Sequence, residues 1–271
     1  MELKIFYAFL AVFFIAGSFV EYALTYKKHQ NYYKIKDTFS SIRLMLAGLV
    51  FDMGMKILTI YGLIKLSAYA LFNLGYDWWS WILCFVIWDF CFYCKHYTEH
   101  NVRFMWAIHV NHHSSPHMNL STSLRSGVFK GIYRYFFYIP IILLGFPLEM
   151  LIIIYGIGKL WAFFSHSQKL GNWGILEKFL ITPLHHAVHH SCNEQNLNKN
   201  FGETLIIWDK LFGSFQKNKG NLIYGIHEEV DHSSFYKTVM HEFENMANDV
   251  KNAKNFKERL LYIFGKPGWN K

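Results

Sequence analysis

Nine histidines gathered in three tight clusters carry the clearest chemistry in this 271-residue chain. The clusters read His96-x-x-x-His100, His109-x-x-His112-His113 and His185-His186-x-x-His189-His190, with His166 alone between the last two. Imidazole is the commonest metal-binding side chain, and so many in one domain point to a metal. Residues four apart project from one helical face, so His96 and His100 can reach a common ion. His109, His112 and His113 share a face as i, i+3, i+4, and His186, His189 and His190 repeat that spacing. Neighbours in sequence diverge by about 100° around a helix axis, which leaves His112 and His113 free to serve different ions. The pair and the two triads give eight ligands, and His166 and His185 raise the set to ten. Such a set suits two metal ions, each with four or five ligands and room for an exogenous one.

All-nitrogen ligation with open positions fits iron or copper redox chemistry better than a structural zinc site, which would draw on paired cysteines. Cys91 and Cys94 form a lone CxxC at the end of an apolar run and read as small core residues. Asp89 lies seven residues before His96 on the same helical stripe. It could accept the distal N–H of a ligand histidine, or be a salt-bridged carboxylate at the membrane interface. A bis-histidine haem needs one ligand on each of two helices inside the bilayer, and these clusters are too dense and too near the ends of the spans. A metal transporter would place ligands midway along its helices, where this chain has no histidine. His29, His117, His227, His232 and His241 stand apart from the clusters and read as ordinary packed or surface residues.

The elements that must hold these clusters are apolar helices. Hydrophobic residues make up 52% of the chain and charged residues 17%, with a formal charge of +8. Lys and Arg crowd the segments beside the apolar runs, a pattern of lipid headgroup contact and not of nucleic-acid binding. Five apolar stretches stand out, near Ile5–Tyr26, Leu44–Leu74, Trp79–Tyr93, Ile132–Leu144 and Leu148–Phe164, the last two joined as a tight hairpin by Gly145-Phe146-Pro147. The first lacks a small-residue cleavage site and reads as a retained transmembrane helix. With the second stretch counted as one crossing, the loop charges place the N-terminus outside and every histidine cluster on the cytoplasmic side.

Beyond Leu170 the chain is more polar: Asn193–Asn200 reads as a loop, Leu205–Gly213 as a short apolar segment with a glycine stop, and Ser234–Phe264 as amphipathic helices. The expected fold is all-α, a multi-pass transmembrane helical protein with a cytoplasmic histidine-rich di-metal cap. Residues 1–40 form the N-terminal helix and basic loop, 41–230 the membrane catalytic domain, and 231–271 an amphipathic tail. No repeat of fixed period is present. Neither a nucleotide-binding glycine fingerprint nor a fused cytochrome b5 or ferredoxin-like stretch is found, so electrons must come from a separate donor. The basic C-terminal region is either a docking face for an acidic carrier or a headgroup contact.

With these residues in view the chain resembles the fatty acid hydroxylase/sterol desaturase superfamily, in its alkylglycerol monooxygenase-like branch. The HxxxH, HxxHH, HxxHH series carries the likeness. So do the segments Trp106–Ser115, Asn119–Arg125, Thr182–His190, Leu205–Phe215 and Tyr224-Gly225-Ile226. The likeness covers about residues 40–230. Two positions depart from it: Tyr97 stands where relatives often have Arg, and His166-Ser167-Gln168 stands where the branch commonly has His-Thr-Glu. The resemblance implies two non-haem irons and O2-dependent hydroxylation of a lipid of sterol, fatty acyl or alkylglycerol type, with desaturation as the alternative outcome. It implies as donor a cytochrome b5, ferredoxin or reductase, or tetrahydrobiopterin, and a bacterial inner membrane or endoplasmic reticulum as its place. A non-enzymatic membrane metal-binding or transport protein is the competing reading.

Overall fold

Four of the five apolar stretches become single helices in the computed structural model, which describes residues 2–26, 32–228, 230–231 and 234–269, with 2–11 as backbone only. His29, His232 and residues 27–31 of the basic loop lie outside the described residues. The helices are α1 (Glu2–Tyr26), α2 (Ile35–Ser67), α3 (Trp78–Asn101), α4 (Arg103–His113), α5 (Ile139–Leu144), α6 (Leu148–Ser165), α7 (Pro183–His189), α8 (Ile207–Leu211), α9 (Phe235–Asn252) and α10 (Phe256–Phe264). Short 3-10 turns connect them. No strand occurs among the described residues, and two isolated β-bridges, Leu180–Leu205 and Ser191–Tyr224, are the extent of β pairing there. The all-α expectation holds.

Helices α2 and α6 are long and apolar enough to cross a membrane. The 33 residues of α2 extend about 50 Å at 1.5 Å per residue, more than a bilayer's hydrocarbon needs. Its outer face presents Val50 at 73% exposure and Ile57 at 75%, so it is not the core helix of a water-soluble domain. A continuous apolar face of that kind is costly in water and suited to lipid.

The fourth stretch departs from a simple helix. Residues Lys130–Ile132 and Arg134–Tyr138 form 3-10 turns, and only six residues, Ile139–Leu144, complete an α-helix. The cause is polar. Arg134 turns inward to an ion pair with Asp52 of α2, and Gly131 lies so close that an added Cβ would sit 2.5 Å from the Asp52 carboxylate. Pro140 then starts α5 at its first turn, where its missing N–H costs nothing. The hairpin to α6 turns at Gly145, with φ +97° and a neighbouring carbonyl, that of Phe72, 1.8 Å from where a Cβ would stand. Only glycine fits there.

The main core lies between α2, α3, α5 and α6 around the fully buried Trp88. Gly158 lets α6 approach this indole, since a Cβ would fall 2.0 Å from it. The C-terminal helices are docked and not loose. Arg103, at the start of α4, pairs with Glu242 of α9 at 2.8 Å and Asp249 at 2.6 Å, and Val239 packs with Leu44 and Val128. Thus α9 braces the helix that carries the second histidine motif.

Candidate metal centre

Four elements deliver the histidines. The last turns of α3 carry His96 and His100, α4 carries His109, His112 and His113, His166 caps the C-terminus of α6, and α7 ends in His186, His189 and His190. Thr182 caps α7 and Pro183 opens it, so this seven-residue helix begins where its histidines must be aimed. Nine rings converge into two groups whose nitrogens lie within 4.8 Å of one another: His96, His100, His109, His113 and His189 in one, and His112, His166, His186 and His190 in the other. Each HxxHH motif is shared between them. Members four apart (His109 and His113, His186 and His190) go together, and the third member crosses over. His112 and His113 thereby serve different groups.

Backbone carbonyls fix the rings from behind. The Nδ1 atoms of His96, His112 and His189 each lie 2.8 Å from a carbonyl, of Phe201, Arg125 and Lys199 respectively, and that of His166 lies 2.6 Å from Ala162. A donating Nδ1–H leaves Nε2 as the free acceptor that a metal requires. The Nε2 atoms do face inward: His96 to His109 at 3.1 Å, His109 to His113 at 3.3 Å, His166 to His112 at 3.3 Å and to His186 at 3.2 Å. Those of His100, His189 and His190 are buried with no hydrogen-bond partner among the described residues. Burial, then repulsion from neighbouring rings and lysines, holds His96, His100, His109, His113 and His190 well below the ordinary imidazole range. Burial drives His166 down to about 3. Neutral imidazoles with unsatisfied inward nitrogens fit two cations, with five donors for one and four for the other.

His185 is not brought to either group. One residue before His186, it points to the opposite side of α7, with its Nδ1 3.1 Å from the Leu180 carbonyl and 3.3 Å from the Thr182 hydroxyl. His117, His227 and His241 also stand outside both groups. Asp89 serves neither as a partner of a ligand histidine nor as a surface ion pair. Its buried carboxylate accepts from the backbone N–H of Thr204 (2.9 Å) and Leu205 (3.1 Å) and from the Trp208 indole (2.9 Å). With Asp209, which holds the N–H groups of Phe201 and Gly202 at 2.8 Å each, it pins the loop whose carbonyl orients His96. Cys91 and Cys94 are free thiols, Cys91 within the main core.

The histidine motifs gave no sign of the charged groups behind the first group. Glu99, fully buried, accepts from Lys95 at 2.9 Å, the Tyr133 hydroxyl at 2.8 Å and Lys130 at 3.3 Å. Burial pushes its carboxyl up, but Lys130 and Lys95 outweigh that and hold it at about 2. Lys130 also lies 3.3 Å from Nδ1 of His109. The Lys95/Glu99 spacing of four, on the helix bearing His96, was the available signal. Two further acids tie the site to the N-terminal helices. Asp37 of α2 pairs with the fully buried Arg125 at 2.7 Å, and Glu21 of α1 accepts from the N–H of Leu120 at 2.8 Å and from the Ser167 hydroxyl beside His166. A carboxylate from α1 thus reaches the segment where the branch commonly has its own.

Comparison with known proteins agrees with this geometry. Residues 81–214 match the family model for fatty acid hydroxylase. The human alkylglycerol monooxygenase is 36% identical over 74% of this chain and 45% of its own length, and the Caenorhabditis elegans one 28% identical over 97% and 54%. An ornithine lipid hydroxylase of Rhizobium tropici is 30% identical over 49% of this chain and 41% of its own. The chain spans about half the length of these relatives. No solved structure matches. Through residues 81–214, which hold every histidine of both groups, this chain belongs to the fatty acid hydroxylase family.

Proposed function

We propose that this chain is a membrane-bound non-haem di-iron hydroxylase that uses O2 to oxidise a C–H bond of a lipid. The observation that carries the reading is the pair of buried histidine groups with inward, unsatisfied nitrogens. His96, His100, His109, His113 and His189 would hold one iron, and His112, His166, His186 and His190 the other. Bound iron supplies the O2 reduction that C–H oxidation requires. The overall balance is one O2, one lipid C–H, two electrons and two protons in, and one alcohol and one water out.

The protein's own part is to position and to exclude water. Carbonyls of residues 125, 162, 199 and 201 lock four of the rings, and Phe92, Phe163 and Leu124 line the cavity into which both groups look. Electrons come from a separate reductase-linked carrier or a pterin. The chain crosses the membrane through α1, α2 and α3, and the α5–α6 hairpin dips in and returns, with both histidine groups on the cytoplasmic side. Its relatives' names favour a glycerol-based or amino-acid-based lipid over a sterol.

Purified protein reconstituted anaerobically with ferrous iron should bind two irons per chain and consume O2 only with lipid and a reductant present. With labelled O2, one labelled oxygen should enter the product. A product that has lost two hydrogens and gained no oxygen would reassign the enzyme as a desaturase. Absence of stoichiometric iron would refute the proposal.

A further inference from the structure

On the side of the metal groups facing α1 and α6, a cavity of about 100 Å³ is lined by histidines of both groups together with Lys130, Lys159 and Glu203. Phe14, Phe92, Phe163 and Leu124 make an apolar part of its wall, so it is an amphipathic chamber beside the membrane helices α1 and α6. Lys95, fully buried, stands behind it with its ammonium 4.2 Å from the Phe92 ring centre, and Lys159 approaches the same ring at 5.8 Å. Two lysines therefore crowd one aromatic side chain, and Lys130 lines the same cavity.

Two of these lysines share a single acid, since both Lys95 and Lys130 bind Glu99. Lys159 makes no ion pair within 4.0 Å among the described residues, although it lies within α6. Glu203 makes none either, and its buried Oε1 has no hydrogen-bond partner among the described residues. Lys159 and Glu203 thus face the cavity without a direct ion pair, and bound metal would add positive charge beside them. A lysine inside a membrane helix is costly and marks a functional site by default. Burying cations without matching anions is unfavourable unless a ligand brings the anion.

We propose that this chamber binds the anionic group of an acidic lipid, a carboxylate or a phosphate monoester, with Lys159 as the residue that selects for it. This rests on the reading of the chain as a lipid-oxidising enzyme and names the class of lipid. A cavity of this size holds a group of a few heavy atoms, about three waters' worth of space, and no full glycerophosphodiester headgroup. The lipid chain would leave along Phe14 and Phe163, and the oxidised carbon would lie near the acidic end. Burial raises the Glu203 carboxyl to about 7, so near neutral pH it can meet an anion as a proton donor.

The test needs no turnover. Metal-free protein in neutral detergent is loaded with a radiolabelled palmitate, which is then displaced by unlabelled palmitate, 1-palmitoyl lysophosphatidate or neutral 1-O-hexadecylglycerol. At least one acid should bind about tenfold more tightly than the neutral ether, the worth of one charge-assisted hydrogen bond at 1.4 kcal/mol per decade. Whichever acid binds more tightly identifies the anion. Lys159→Met should remove the preference and Lys159→Arg should keep it. Equal or tighter binding of the neutral ether to the native protein overturns the proposal, as does a preference that survives Lys159→Met. If Lys159→Met does not fold, the native comparison still decides. Selective binding without any oxygenation would count against the hydroxylase reading alone.

Discussion

Asp37→Asn tests whether the N-terminal helices hold the metal groups in place. Asp37 sits in the first turn of α2, and one carboxylate oxygen meets the Arg125 guanidinium at 2.7 Å while the other accepts from Ser115 at 2.7 Å. The guanidinium is wholly buried and also donates to the Asn111 carbonyl at 3.0 Å and the Ser114 hydroxyl at 3.1 Å. The carbonyl of that same Arg125 orients His112. Removing one partner of a buried pair costs about 3–5 kcal/mol, because the other charge stays in the low dielectric. At about 2–4 °C per kcal/mol for a chain of this size, the melting temperature should fall on the order of 10 °C. Thermal denaturation in detergent reads that shift, and iron analysis reads the second effect, loss from the four-histidine group with the five-histidine group retained. Pairing Asp37→Leu with Arg125→Met removes both charges and should recover much of the stability. A shift below 2 °C, or iron lost equally from both groups, would refute the coupling.

Three further outcomes are expected. His112→Ala should lower iron in the four-histidine group and His113→Ala in the five-histidine group, as each is read by stoichiometry and the spectrum of the remaining ion; indistinguishable spectra would contradict the crossed ligand sharing. The metal-free protein should lose stability as pH falls below about 6.5. The buried histidines stay neutral in the folded state while the unfolded chain takes up protons, each contributing up to about 1.4 kcal/mol per pH unit. Melting that is flat between pH 7.5 and 5.5 would contradict it. Gly158→Ala places a methyl 2.0 Å from Trp88 and should destabilise by about 1–3 kcal/mol through overpacking, read again by thermal melting.

The histidine motifs were legible because helical periodicity translates spacing into direction, and His96, His100 and the two triads all fall in one or other of the two histidine groups. His166 joined them, although its isolation in sequence gave no direction. His185 fell away for the same geometric reason that brought its neighbours into the groups. Asp89 was correctly marked as a costly buried acid, but its partners, N–H groups more than a hundred residues away, are set by tertiary contact. The fourth apolar stretch looked helical because hydropathy does not register an inward arginine, and Arg134 bends that segment toward Asp52. Lys159 and Glu203 were illegible: neither belongs to a motif, and only the tertiary packing of α6 and of the loop that holds residues 201–204 makes them neighbours of the histidine groups.

The crossed sharing of ligands also has a temporal side. Four of the five donors of the first group come from residues 96–113, a single helical hairpin of α3 and α4, whereas the second group draws on His112, His166, His186 and His190. A chain growing from its N-terminus therefore holds four members of the first group long before the second can form. The second group closes only when α7 arrives, and that same arrival delivers His189 to the first. Completion of the two histidine groups is thus one event, the docking of a seven-residue helix.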